Sequence, residues 1–158
     1  MCWAQQCKDT IPSYTANGRF VLLNDGTIID RTTRLMWMRC SVGQSWDKKK
    51  NMCIGNSTPL TWRQAKQSAD DLVLATNTQW RLPSIHELSA IVELRCANPA
   101  IDLKQFPNTP PTHYWTNTAF VNQENHFWLV QFLNGENHTD SAKRMALVRL
   151  VKTLGQKN

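Results

Sequence analysis

Five widely spaced cysteines constrain this chain more than any other feature: Cys2, Cys7, Cys40, Cys53 and Cys96. None sits in a C-x-x-C pair, so the spacing of zinc sites and thioredoxin-like redox sites is missing. In a small, Trp-rich, basic chain such spacing suits disulfides and an oxidising compartment. The alternative is a cytosolic protein with free thiols. Residues 41–60 contain Gly43, Gly55, Asn56 and Pro59 and read as a long structureless loop, which needs a tether. A Cys40–Cys53 bridge supplies one; it closes about 15 residues and stabilises by ~3 kcal/mol in the chain-entropy picture. The odd count leaves one cysteine over, and Cys2 is taken as that one because of where it lies. Met1 to Ala4 looks like the tail of a signal peptide cut after Ala4, and residues 1–6 are expected to be that remnant or a disordered leader. The expectation is a secreted, extracellular protein with one domain over 7–153 and a short tail over 154–158. A length of 158 residues suits a single core.

Three apolar runs open the body: Arg19 to Leu23, Thr27 to Arg31 and Leu35 to Arg39. Asn24-Asp25-Gly26 joins the first two, and Asp-Gly suits the positive φ of a tight hairpin. Two helices follow. Thr61 with Gln64, and Ser84 with Glu87, each make a capping box. Trp62, Ala65, Ala69 and Leu72 recur at helical spacing, as do Ile85, Leu88, Ile91 and Val92. The second helix is expected to carry Cys96 near its end, before Asn98-Pro99 breaks it. Residues 97–112 hold four prolines and form an extended loop. Strands return at Tyr114 to Phe120, His126 to Leu133 and Met145 to Val151, with Asn134-Gly135 turning after the second. Phe127 to Val130 is apolar on both faces, as in a central strand. Strands, two helices and more strands make an α+β domain, with two helices packed on short antiparallel sheets. The longest apolar run, Phe127 to Leu133, is interrupted by Gln131; no stretch approaches the ~20 residues of a transmembrane helix.

An ordered set of short motifs spans about residues 7–152. It runs Asp25-Gly26-Thr27, Leu35-Met36-Trp37, Cys40, Trp46, Cys53, Thr61-Trp62 and Trp80-Arg81-Leu82-Pro83. It continues through Asn98-Pro99-Ala100-Ile101, Phe106-Pro107, Tyr114-Trp115, Trp128 and Val148-Arg149-Leu150-Val151. The set resembles the family named after the C-terminal domain of the Legionella collagen-like adhesin (Lcl). That resemblance implies a C-type-lectin-like fold stapled by disulfides, in a secreted or surface-exposed bacterial domain. It implies Cys7–Cys96 beside Cys40–Cys53. In the named adhesin the domain trimerises and binds sulfated polysaccharides, so a homo-oligomer, an adhesin-like role and a link to virulence are what the resemblance implies. Most of the motif residues suit folding roles. Arg81, in particular, needs a carboxylate or carbonyl partner if buried.

Catalytic patterns are missing. His86-Glu87 begins H-E-x-x-H, but position 90 is Ala. There is no G-x-S-x-G elbow and no phosphate-cradling glycine loop. Asp70 and Asp71 are neighbours on a helix and diverge. The calcium and sugar motifs of C-type lectins do not occur, nor does a late cysteine pair like that of formylglycine-generating enzymes, which share this fold class. No metal site and no cofactor are expected, and the chain is read as a non-enzyme. The net charge of +6 favours polyanions, yet no nucleic-acid motif accompanies it, so no nucleic-acid partner is expected. Lys48, Lys49 and Lys50, with Arg63 and Lys66 just beyond, form a candidate polyanion patch beside Trp46. Lys143 and Arg144 form a second cluster. The plain alternative is a solvated loop and helix face. The expected ligand is a sulfated or anionic glycan; the alternative is a protein-interaction module engaging a host or surface protein.

Overall fold

A computed structural model describes residues 4–15 and 18–155. Cys2 and Met1 lie outside the described residues. Local signals place the first sheet. β2 (Phe20–Leu22), β3 (Thr27–Asp30) and β4 (Leu35–Met38) form the expected meander. Gly26 takes φ +84, and a Cβ there would lie 2.6 Å from Trp46 Cγ; only glycine fits both the turn and the indole. β11 (Val151–Thr153) adds to β4, giving a four-stranded antiparallel sheet of order β11-β4-β3-β2.

A second sheet has three antiparallel strands in the order β10-β9-β8. These are β8 (His113–Ala119), β9 (His126–Gln131) and β10 (Glu136–Ser141). β9 is central, as its two-sided apolar pattern predicts. Between the sheets lies a core of Ile28, Trp37, Leu88, Ile91, Ile101, Phe106, Tyr114, Val130 and Phe132. A second cluster, built on Ala65, Ala69, Trp80, Leu82, Trp115, Leu129, Val148 and Leu150, sits under helix α1 (Trp62–Thr76). The short helix α2 (Ile85–Ser89) buries Ile85 and Leu88. Both capping boxes are formed as predicted. The architecture is thus a set of small antiparallel sheets with two helices and two disulfides, Cys7–Cys96 and Cys40–Cys53.

Four expectations need correction. Residues 41–60 are not structureless: β5 (Ser45–Asp47) and β6 (Met52–Ile54) pair as a hairpin inside the disulfide. The second helix stops at Ser89 instead of reaching Cys96. Val92 bridges to Ile101, and Cys96 enters β7 (Cys96–Ala97), where it pairs with Cys7 of β1 (Gln6–Cys7). These long-range pairings override helical periodicity. The run Met145 to Val151 is not a continuous strand. Ala146 bridges Leu60 and Leu147 bridges Tyr114, after which the chain crosses to β4. Lastly, β10 was missed because Glu-Asn-His-Thr-Asp-Ser offers no apolar alternation; it is an exposed edge strand whose register comes from β9.

The N-terminal segment straps across residues 93–102. Gln5 donates to Pro99 O and Ile101 O, at 2.8 and 2.6 Å. Ser13 donates to the buried Glu93 carboxylate at 2.6 Å, and the Tyr14 N–H also donates to it. Within the stretch read as a leader, therefore, Gln5 and Gln6 make strap and strand contacts.

Candidate functional site

The cations singled out in the sequence fall into two settings. Lys48, Lys49 and Lys50 are exposed at the β5–β6 turn. Asp47 shapes that turn by accepting from the Lys49 and Lys50 N–H groups at 2.9 and 3.0 Å. The hairpin rests on buried Arg39, whose guanidinium lies 4.3 Å from the Trp46 ring and donates to Gln105 O and Lys104 O. Trp46 is occupied by Arg39 and Gly26, so its place is structural.

Arg63, Lys66 and Lys143 belong to a different region. The start of α1 is tied to the turn after β10: Trp62 N–H donates to Ala142 O at 3.0 Å, and Ala142 N–H to Asn125 O at 2.7 Å. This junction creates two adjoining grooves that share Arg63, Asn125 and Ala142. One, of about 390 Å³, has Thr61, Ser141 and Lys143 on its walls. The other, of about 280 Å³, adds Lys66, Gln67 and the Trp62–Phe127 pair. Those two rings stack at 3.7 Å, and the Trp62 Nε1–H donates to Thr116 O, so the aromatic wall is fixed. No acidic residue lies in the first turn of α1, which leaves its positive end uncompensated. Asp70 tempers the far end, 3.9 Å from Lys66 Nζ.

Arg144 follows Lys143 but turns elsewhere. Its guanidinium donates to Asp140 Oδ2 at 2.5 Å and to His113 Nδ1 at 3.1 Å. The hydrogen bond from Arg144, ahead of the opposing cost of burial, holds the Asp140 carboxyl below the usual range. Sequence reasoning missed Asn125, Phe127 and Ser141, which become groove residues only through long-range pairing. Asn125 takes a left-handed φ of 53°, a conformation asparagine tolerates better than most residues.

The recurrent motif residues serve the frame. Arg81 makes a two-pronged contact with Glu87, at 2.8 and 2.9 Å, and Glu87 also accepts from Ser84 N–H. Burial raises the Glu87 pKa, but the bonds from Arg81 and Ser84 outweigh it and hold the carboxyl low. The glutamate of the half H-E-x-x-H pattern is therefore spent on helix entry. Arg149 is fully buried, bonded to Met38 O, Arg39 O and Thr109 Oγ1, with the Phe106 ring 4.9 Å away. Its charge is met by carbonyl dipoles, a hydroxyl and a π-face. Among the described residues no group of three or more His, Cys, Asp or Glu side chains is disposed to hold a metal ion. No helix among them is long and apolar enough to cross a membrane.

Trp37, Trp80, Phe106, Tyr114, Arg81 and Arg149 are thus all explained by packing, by a half-buried ion pair or by buried hydrogen bonding. Their role is to hold the scaffold, so a binding function has to be sought on the surface it carries. The family model of the Lcl C-terminal domain matches residues 26–152. The chain belongs to that family. No curated protein matches it. In this Lcl C-terminal domain the whole groove and the lysine hairpin lie inside the matched region, whereas the N-terminal strap lies outside it.

Proposed function

We propose that this Lcl C-terminal domain is an exported, non-enzymatic binding module of C-type-lectin-like architecture, and that it recognises sulfated or otherwise anionic glycans. The observation that carries the reading is that Arg63 and Lys143, far apart in sequence, line one groove, with Lys66 in the adjoining one. A guanidinium fork suits the planar or tetrahedral oxygens of carboxylate and sulfate. Asn125, Gln67 and Ser141 offer amide and hydroxyl groups for sugar hydroxyls, and Phe127 with Trp62 gives an apolar wall for a ring face. The net charge of +6 favours encounter with a polyanion. Two disulfides suit an oxidising compartment.

Heparin-column retention across a salt gradient tests this. Wild type is expected to bind at low salt and elute as salt rises. Arg63→Ala with Lys143→Ala should shift elution sharply earlier, while Lys48→Ala, Lys49→Ala and Lys50→Ala together should shift it less. A larger loss in the lysine-triplet variant would move the site to the hairpin. No retention of the wild type at low salt would end the glycan reading.

A further inference from the structure

We propose that His113 and Arg144 form an acid-sensitive latch on the 141–144 turn, which carries Lys143 of the groove. The latch itself stands on local geometry; only its effect on ligand capture rests on the reading of the groove as an anion site.

The bond between the two side chains has one possible polarity. A guanidinium has only N–H groups, so Arg144 Nη2 must donate and His113 Nδ1 must accept at 3.1 Å. His113 is therefore neutral at this bond, with its proton on Nε2. One proton taken from solvent at Nδ1 makes an imidazolium with two donors and no acceptor. The bond is then lost, and two cations face each other. His138 sharpens the effect, because its ring lies 5.3 Å from that of His113, edge to face.

The groups around His113 come from three elements. Arg144 approaches from the turn, and β10 supplies His138 and Asp140. Gln131, opposite His113 on β9, is neutral and accepts from His138 Nε2 at 3.1 Å. Glu136 lies 3.5 Å from His138 Nε2, and Asp140 holds the other arm of Arg144. Burial, then Arg144, then His138 all lower the His113 pKa, against a weaker opposing pull from Asp140. The neutral, latched form therefore persists through neutral pH and gives way on the acid side. Asp140 keeps Arg144 on its own hairpin after release, and the backbone bonds of Ala142 to Trp62 and Asn125 and of Leu147 to His113 remain, so acid removes the side-chain anchor of the turn to β8 and loosens the turn without unfolding the sheet.

Amide hydrogen exchange of Ala142 and Arg144, corrected for intrinsic rates, at about pH 7.5 and about pH 5.5 reads the latch directly. Wild-type protection should fall severalfold in acid. His113→Gln keeps a carbonyl acceptor at every pH, and its protection should not change. Unaltered wild-type protection would overturn the latch. Should His113→Gln not fold, the wild-type NMR titration decides: the 141–144 amide shifts must share the His113 ring midpoint, and a separate midpoint rejects the idea. A heparin tetrasaccharide titrated at both pH values separates the two claims. If it never binds while protection falls, the glycan reading fails and the latch stands; if it binds while protection stays constant, the reverse holds.

Discussion

The lysine hairpin and the Arg63–Lys143 groove carry charge of the same sign and are built in opposite ways. Lys48 to Lys50 are contiguous, exposed and held by a local turn inside a short covalent loop. The groove gathers its cations from a helix start and a distant strand turn, over a fixed aromatic wall. Contiguous charge costs a chain almost nothing to evolve, because it needs no packing. A groove that assembles Arg63, Asn125 and Lys143 depends on the whole second core cluster. The density of charge along a sequence is therefore a poor guide to where a fold builds a recess for a ligand.

The largest effect should come from the aromatic wall. Trp62→Ala removes a stacked, half-buried indole and its bond to Thr116 O, and should cost about 3 kcal/mol. Chemical denaturation reads this, and heparin retention should collapse with it while the hairpin stays intact. A stability change below about 1 kcal/mol would mean that the wall is not a support, and the contrast between the two regions would weaken. Next comes the opposite excision. Cys40→Ser with Cys53→Ser should cost about 2–3 kcal/mol, since the loop closed is short, and should loosen the Lys48–Lys50 turn. Retention on heparin should survive. Its loss would show that the hairpin and the groove act together.

Acid provides the smallest and broadest test, since it strikes the frame beneath both regions. Burial raises the pKa of Asp30, Glu87 and Glu93, but their bonds outweigh it: Arg19 for Asp30, Arg81 for Glu87, Ser13 for Glu93. All three carboxyls are net lowered. The stability they contribute is fully present above the ordinary carboxylate range and is lost as pH falls through their lowered folded values. Melting temperature should hold down to about pH 5 and fall below it. Arg19→Gln should flatten that fall by removing the partner of Asp30. An acid profile unchanged in Arg19→Gln would show that Asp30 is held by its other partners.

Much of the frame was legible because local rules agreed with the fold. The Asp-Gly hairpin, both capping boxes, the central β9 and the α1 stripe all use neighbours within a few residues. The failures share one cause. The α2 stripe continues through Val92, yet Val92 pairs with Ile101 and Cys96 is drawn to Cys7. β10 has no apolar face because it lies at the sheet edge, exposed or half-buried along its length, and is held by its ladder to β9 and not by burial. Arg63 and Lys143 were both visible as cations, but their meeting requires Trp62 N–H to find Ala142 O. No spacing rule in the sequence contains that contact.

The Cys7–Cys96 bond also sets how the domain would carry mechanical load. A pull applied between its two ends passes across the sulfur–sulfur bond and bypasses the chain between them, a separation of 89 residues. The lysine hairpin, α1 and α2 all lie in that bypassed stretch. Tension falls instead on β8, β9, β10 and the three-residue ladder of β11 on β4. The Arg63 side of the groove is shielded from force and the Lys143 side lies on the loaded path, so a ligand held between them would bridge a covalently protected half and a half that can yield.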